Sequence, residues 1–318
     1  MTMLSRVAER LFWMARYLER SEDTARLTNA FSHLLMDLPE SSDVDWDLLV
    51  EIYDAEALFA SRPRSASEQN VLRFLLADAS NPSSILSSVC NARENVRTTR
   101  DALPAETWEY MNELHLFAQE HAEKSVGRRN RYFFLEQVTS RCQQINGLLM
   151  TTLSRDHAYR FIKLGQLLER ADMTTRIIDI GAGVMLSHAE SQTDYQAMAS
   201  AHIWTSLLRA LSSLSSYREY IGPTVDTQSA VNFVFKESSH PRSVIFCLRG
   251  IRDELGALNN STIPIAIVEQ TIDMLMAYSM RETRVEALHR FVDQLQGQLC
   301  DINDVIAENW FSRLSDNR

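Results

Sequence analysis

Residues 11–26 read LFWMARYLERSEDTAR, and residues 161–176, 150 positions later, read FIKLGQLLERADMTTR. Apolar residues recur in both stretches every three or four positions, which predicts a long amphipathic α-helix in each half of the chain. The residues that repeat at this shift include a Glu-Arg pair followed by an acid, a threonine and an arginine. The matching pairs are Arg10/Arg160, Leu18/Leu168, Glu19/Glu169, Arg20/Arg170, Glu22/Asp172, Thr24/Thr174 and Arg26/Arg176.

Prolines give a second sign of internal repetition. Pro63, Pro82 and Pro104 have counterparts 160, 159 and 160 residues later, and the residues around Pro82 also correspond, although His240 stands in place of Asn81. We therefore predict an internally duplicated chain with two pseudo-symmetric halves, residues 1–154 and 155–318, which share a core and could form one integrated domain. The counterparts are Pro223, Pro241 and Pro264, and Phe74, Ser84, Ile85 and Arg93 match Phe233, Ser243, Val244 and Arg252.

The composition favours an all-α helical bundle. The chain has only 9 Gly and 7 Pro in 318 residues, and Leu, Ala, Arg and Glu, which favour helices, dominate it. We expect Asn81 to cap a helix that starts at Pro82, and basic residues 127–131 and residues 187–193 to form loops. The short apolar runs 231–235 and 244–248 are assigned to helices. Further helices are predicted over 4–31, 46–59, 68–76, 82–103, 108–122, 132–153, 204–217 and 241–258, with one more near the C-terminus.

Charge and motif content exclude several classes of protein. A net charge of −10 and a pI near 5.3 argue against a general nucleic-acid binder, which needs a basic surface. The four cysteines are far apart in the sequence, which argues against a zinc site or a dithiol redox centre. No apolar run approaches the ~20 residues of a membrane span. Two Glu-x-x-His motifs, ending at His240 and His289, lack the pairing on two helices that a di-iron centre requires. We therefore expect a cytoplasmic protein with no cofactor, no metal and no membrane contact.

The repeated charges are the first candidate site. At 100° per residue, Glu22 and Arg26 face the same side as the apolar stripe of their helix, with Glu19 at its border. Three interpretations stay open: a buried ion network, a polar pocket across a pseudo-twofold axis, or ordinary solvated charge. In the second half, Asp172, Arg176 and Glu169 repeat these positions, and Arg20 and Arg170 point sideways.

A basic ridge is the second candidate site. Arg93, Arg97 and Arg100 follow one another at helical spacing with Glu94 beside them, and their guanidinium groups could bind a carboxylate or a phosphate. A solvated helix face is the alternative. The other half keeps only Arg252 at this position, so a ligand site here would be asymmetric.

The stretches LFWMARYLER (11–20) and LLERAD (167–172), with Asn81-Pro82 and Ala92-Arg93-Glu94-Asn95, make the chain resemble the bacterial alpha-E family over nearly its whole length. Trp108 and Asn112 also fit the family pattern. The resemblance implies a helical fold named for a Glu-Arg motif. It also implies an association with circularly permuted ATP-grasp proteins, and often with transglutaminase-like peptidases or proteasome-like hydrolases, hence a peptide or amide-bond pathway.

Three hypotheses about function follow from the residues and the resemblance. The first is a helical partner that binds an ATP-grasp-type ligase, or its peptide or carboxylate substrate, through the Glu-Arg pocket and the Arg93 ridge. The second is an enzyme in which Glu19 or Glu169 acts as acid or base, with arginines that orient a carboxylate substrate. The third is a homo-oligomeric scaffold.

Overall fold

The computed structural model describes residues 3–37, 44–62, 65–187, 194–279 and 285–311. These ranges form fourteen α-helices with two 3₁₀ turns and a C-terminal π-helical turn, and they contain no β-strand. The predicted all-α fold is confirmed. The helices are α1 Ser5–Asp37, α2 Leu48–Ile52, α3 Glu56–Ala60, α4 Glu68–Leu76, α5 Ile85–Thr98, α6 Ala105–His121, α7 Arg128–Thr152, α8 His157–Ser187, α9 Asp194–Ala210, α10 Leu214–Tyr220, α11 Thr227–Lys236, α12 Val244–Gly256, α13 Thr262–Ala277 and α14 Val285–Ile306.

The two longest helices, α1 and α8, form the centre of the bundle and pack on each other. They approach closely at Gly165, where an added Cβ would lie 2.2 Å from the carbonyl oxygen of Phe12 and 3.3 Å from the Cβ of Ala15. Only glycine leaves room for this crossing. Helices α5, α7 and α9 pack against α1, while α12 and α14 pack against α8.

One hydrophobic cluster runs through the bundle and includes side chains from both predicted halves, such as Phe12 and Leu18 of α1 and Leu168 of α8. Because the central helix pair brings one long helix from each half together, the halves share this core. The boundary near residue 154 and the ancestral duplication both stay predictions.

The helix predicted over 46–59 is instead two short helices, because the backbone at Asp54 has a φ of 54°. The helix predicted over 204–217 is likewise divided between α9 and α10, and Ser212 has a φ of 52°. A non-glycine residue in the left-handed region ends a right-handed helix. No proline or glycine marks either position, so the sequence pattern did not reveal the breaks.

Helix starts differ from prediction in two further places. Ser84, not Asn81, caps α5, since its hydroxyl accepts a hydrogen bond from the amide of Ser87. Asn81 holds the preceding loop by donating to the carbonyl of Phe74. Residues 128–131, predicted as part of a loop, form the first turn of α7 after Gly127.

The apolar runs 231–235 and 244–248 lie in α11 and α12, as predicted. Pro39, Pro63 and most of the predicted loop 187–193 lie outside the described residues. No helix in the described part of the chain has both the length and the apolar character that a membrane crossing requires.

Candidate functional site

The two Glu-Arg pairs bind each other across the central helices. The carboxylate of Glu19 accepts hydrogen bonds from Nε and Nη2 of Arg170, at 2.7 and 3.0 Å. Reciprocally, Glu169 accepts bonds from Nε and Nη2 of Arg20, at 2.5 and 3.0 Å. Each acid therefore makes the two parallel bonds that a planar guanidinium offers to a carboxylate.

The crossing of α1 and α8 explains why these four side chains meet. Ala15 and Gly165 lie at the crossing, and Glu19 and Glu169 follow them by four residues, about one helical turn. Since side chains four residues apart share a face of a helix, both acids lie on the faces that form the contact.

Each Glu-Arg pair has an additional arginine, but the two sides differ. Nε of Arg16 lies 2.6 Å from Glu169, and its Nη1 donates to the side chain of Asn303 in α14. On the other side, Arg242, from the turn before α12, lies 3.3 Å from Glu19. The same arginine also contacts two more acids of α1, Glu22 at 3.3 Å and Asp23 at 2.5 Å.

The other repeated charges form one i,i+4 ion pair on each central helix, at the periphery of the cluster. Arg26 binds Glu22 at 2.7 Å, and Arg176 binds Asp172 at 3.1 Å. Each arginine also reaches one of the residues with left-handed backbone conformation. Arg26 donates to the hydroxyl of Ser212, and Arg176 lies 3.7 Å from Asp54. These i,i+4 pairs thus tie the central helices to the two helix breaks.

Electrostatics keep the two motif acids ionised. Burial alone would raise the pKa of Glu169, but the charges of Arg20 and Arg16 outweigh it and lower that pKa to about 2. For Glu19, burial is outweighed by Arg170 and Arg242, so the pKa lies below its usual 4.5. The pKa values of Arg20 and Arg170 are raised, because burial is outweighed by the acid that each arginine binds.

Asp23 is the exception in the cluster. Burial raises its pKa to about 7, because a single arginine, Arg242, serves three neighbouring carboxylates and the charges of Glu19 and Glu22 add to the burial effect. Oδ2 of Asp23 is buried and accepts no hydrogen bond from the described residues. Asp23 is therefore the acid of this cluster that takes up a proton most readily.

The Glu-Arg cluster as a whole has the geometry of a buried ion network. Glu19 and Glu169 are shielded from water, and arginines occupy their carboxylate oxygens. A general acid or base must instead have a pKa near the working pH and reach the substrate proton. Of the three interpretations offered by the sequence, the network fits these contacts best.

The Arg93 ridge is not one continuous surface. Nε of Arg93 donates to Asn112 at 2.6 Å, and the guanidinium groups of Arg93 and Arg100 lie 4.9 and 3.6 Å from the ring centroid of Trp108. Arg97 turns away to form a bidentate pair with Glu94 at 2.6 and 2.8 Å. In the other half, Arg252 contacts Asp253 and Glu269 at the surface.

A groove between α1 and α5 lies where the Glu-Arg helix meets the ridge. It has a volume of about 390 Å³ and is lined by Glu9, Arg10, Trp13, Tyr17, Asn91, Glu94 and Asn95. Two of its lining rings also contact arginines of the ion network, since the guanidinium of Arg16 lies 5.0 Å from the Trp13 ring and that of Arg20 lies 5.9 Å from the Tyr17 ring. The groove is thus an accessible surface beside the Glu-Arg motif.

The family comparison agrees with this geometry. The model of the Alpha-E family, described as a predicted alpha-helical domain with a conserved ER motif, matches residues 3–311. The chain belongs to the Alpha-E family. The resemblance seen in the sequence is thereby confirmed, and Glu19-Arg20 and Glu169-Arg170 are the Glu-Arg pairs of the Alpha-E chain that repeat at the same position of the two central helices.

Two curated relatives of this Alpha-E chain are known only as uncharacterised proteins. One is from Mycobacterium bovis and one from Mycobacterium tuberculosis, and each is 22% identical over 319 residues, a match that covers 93% of the chain. The Alpha-E chain spans only about a third, 34%, of the length of these relatives. No solved structure matches it.

Several residues of the Alpha-E site were not found from the sequence. Arg16, Asp23 and Arg242 join the ion network, and Trp13 and Tyr17 line the groove. Arg16, Trp13 and Tyr17 lie within the stretch that carries the motif, so their spacing was a signal that could have been used. Arg242 had no such signal, because it reaches α1 from a turn 219 residues after Asp23.

Proposed function

We propose that this Alpha-E chain is a cytoplasmic helical partner of an ATP-grasp-type ligase in a pathway that forms peptide or amide bonds. The observation that carries the proposal is the mutual pairing of the Glu-Arg side chains. Because Glu19 and Glu169 are bound to arginines inside the bundle, they support a rigid frame, and the binding role falls to the adjacent surface.

The chemistry of the groove supports recognition of a peptide. Asn91 and Asn95 offer amide donors and acceptors, and Trp13 and Tyr17 offer flat apolar faces. The exposed Arg10 adds a cation that suits a carboxylate. We propose that the groove binds a peptide segment, either of the ligase or of its substrate.

The length of the relatives also supports a partner role. In them, the region similar to this chain shares a polypeptide with other sequence that makes up most of the protein. Covalent linkage of two units keeps them at a high effective concentration, which is useful where the units act together. The partner relationship proposed here would achieve the same proximity by binding.

Co-purification with an ATP-grasp-type ligase from the same organism tests the proposal. The two proteins, mixed at micromolar concentration with nucleotide and peptide substrate, should elute together in gel filtration. The variant Arg10→Glu should weaken the complex at least tenfold, whereas Arg218→Glu, the same change at an exposed position of α10, should not. Separate elution of the wild-type proteins under these conditions would refute the partner role.

The enzyme hypothesis is less well supported, because it needs Glu19 or Glu169 to be free for proton transfer. The variants Glu19→Gln and Glu169→Gln separate the two ideas. Loss of pathway product with unchanged stability and unchanged partner binding would favour catalysis, and loss of stability would favour the network. Light scattering tests the scaffold hypothesis, which a monomer would exclude.

A further inference from the structure

A second cleft lies between the α2–α3 segment and helices α8 and α14. Its volume is about 290 Å³. The charged and polar groups that line it are mostly carboxylates. They are Glu51, Asp54, Glu56, Arg176, Asp179, His289, Asp293 and Gln296.

Three of these side chains form a compact donor set. Oδ1 of Asp179 lies 2.5 Å from Nδ1 of His289, and Oδ2 of Asp293 lies 3.9 Å from Nε2 of the same ring. One donor atom from each residue lies within 4.8 Å of the other two. His289 and Asp293 are four residues apart on α14 and Asp179 lies on α8, so two packed helices hold the donors.

The charge of the cleft favours a cation. Five carboxylates line it, and Arg176, its one arginine, is shared between Asp172 outside the cleft and Asp54 within it. Burial, with the charges of Asp47 and Glu56 adding to it, raises the pKa of Glu51, which lines the cleft. This shift is that of an acid with too little positive charge around it.

We propose that Asp179, His289 and Asp293 bind a divalent transition metal ion of the zinc type. An imidazole nitrogen with two carboxylate oxygens suits Zn²⁺, whereas Mg²⁺ and Ca²⁺ prefer oxygen ligands alone. Two ligands that each lie about 2.0 to 2.2 Å from one ion are roughly 3 Å or more apart, so Oδ1 of Asp179 and Nδ1 of His289 must separate from 2.5 Å while Asp293 moves closer. Rotation of the exposed side chains of His289 and Asp293 achieves this.

The proposal departs from the sequence-based expectation of no metal site. His289 was noticed in the sequence as part of a Glu-x-x-His motif, but Glu286 is not a member of the donor set. The carboxylates that approach His289 are instead one helical turn later on α14 and on the facing helix α8. A cation here would join α8 to α14 and place a positive charge close to Arg176.

Calorimetry on the full chain tests the site. After treatment with EDTA and dialysis, titration with ZnCl₂ at pH 7.5 should show one equivalent bound with a Kd of about 10 μM or tighter. Co²⁺ should give visible absorption of a nitrogen- and oxygen-ligated ion. Millimolar Mg²⁺ should not displace Zn²⁺, and equal competition by Mg²⁺ would overturn the zinc-type assignment.

Variants locate the ion. His289→Ala should weaken Zn²⁺ binding at least 30-fold, and Asp179→Asn should do the same. The matched control is His202→Ala, which removes an exposed histidine from α9 and should bind like wild type. Because the side chain of His289 is 52% exposed, its removal should leave the circular dichroism spectrum unchanged. Unaltered binding by a folded His289→Ala, or no binding by wild type, overturns the proposal.

Discussion

Glu19 of α1 and Arg170 of α8 form a bidentate ion pair, with side chains that are 0% and 12% exposed, respectively. Glu169 and Arg20 form the reciprocal pair. Because each pair joins the two central helices, the Glu-Arg motif is part of the packing that defines the bundle. The contribution of the motif to the free energy of unfolding can therefore be measured separately from any role in ligand binding.

Glu19→Gln should lower the free energy of unfolding by about 3 to 5 kcal/mol, because it leaves Arg170 without its buried acid and removes one of the three acids that contact Arg242. Urea unfolding followed by circular dichroism measures the change. The control Glu113→Gln removes one partner of an exposed pair with Arg141 and should cost less than about 1 kcal/mol. Similar losses in both variants would contradict a structural role of the motif.

Acid should destabilise the protein through Glu169. Its pKa is about 2 in the folded protein, where burial is outweighed by Arg20 and Arg16, against an ordinary 4.5. A lowered acid pKa stabilises the fold fully above pH 4.5, and this contribution is lost as the pH falls towards 2. The contribution is about 3 kcal/mol. Unfolding curves between pH 2 and pH 6 should therefore converge for wild type and Glu169→Gln at the acid end. A constant difference would contradict the assignment.

Asp23 should have the opposite effect on how the stability of the protein depends on pH. Burial raises its pKa from 3.8 to about 7, so the folded state holds the proton more tightly and stability falls as the pH rises from 3.8 to 7. Asp23→Asn removes this dependence. Relative to wild type, the variant should gain about 2 to 3 kcal/mol between pH 5 and pH 8. Parallel pH profiles of the two proteins would show that Asp23 stays ionised throughout.

Gly165→Ala should destabilise the bundle by about 3 kcal/mol, since the new Cβ would meet the backbone of Phe12 at 2.2 Å. Gly147→Ala is the matched control, because it also lies inside a helix, α7, and its Cβ would meet no atom within 4 Å. That change should stabilise by up to about 1 kcal/mol through helix propensity. Thermal unfolding of both variants measures the contrast. Equal effects would mean that the crossing tolerates a side chain.

The fold was largely predictable, because helical periodicity is a local signal. The helix over residues 68–76 was predicted with the same bounds that the structure gives it. The start of α1 was predicted to within one residue, but the helix continues beyond the predicted end at residue 31 to Asp37. The breaks at Asp54 and Ser212 were missed, since neither residue type announces a left-handed conformation. In the structure, Asp54 contacts Arg176 and Ser212 contacts Arg26, and both arginines come from the central helices.

The candidate site was predicted less completely. The inward placement of Glu22 followed from its angle on the helix, and Glu22 is indeed buried. The arginine that binds each acid could not be predicted, because several arginines lie near each acid in the sequence. The structure pairs Glu19 with Arg170, 151 residues away.

The amino-acid sequence alone sufficed for the helical class, the family and the two Glu-Arg positions, because these depend on short-range periodicity and on residue identity. The reciprocal pairing, the position of Arg242, the groove beside Trp13 and the Asp179, His289 and Asp293 cluster depended on how the helices cross. That crossing is set by the absent side chain of Gly165 and by packing between distant segments, and side-chain packing over such separations leaves no local pattern in the chain.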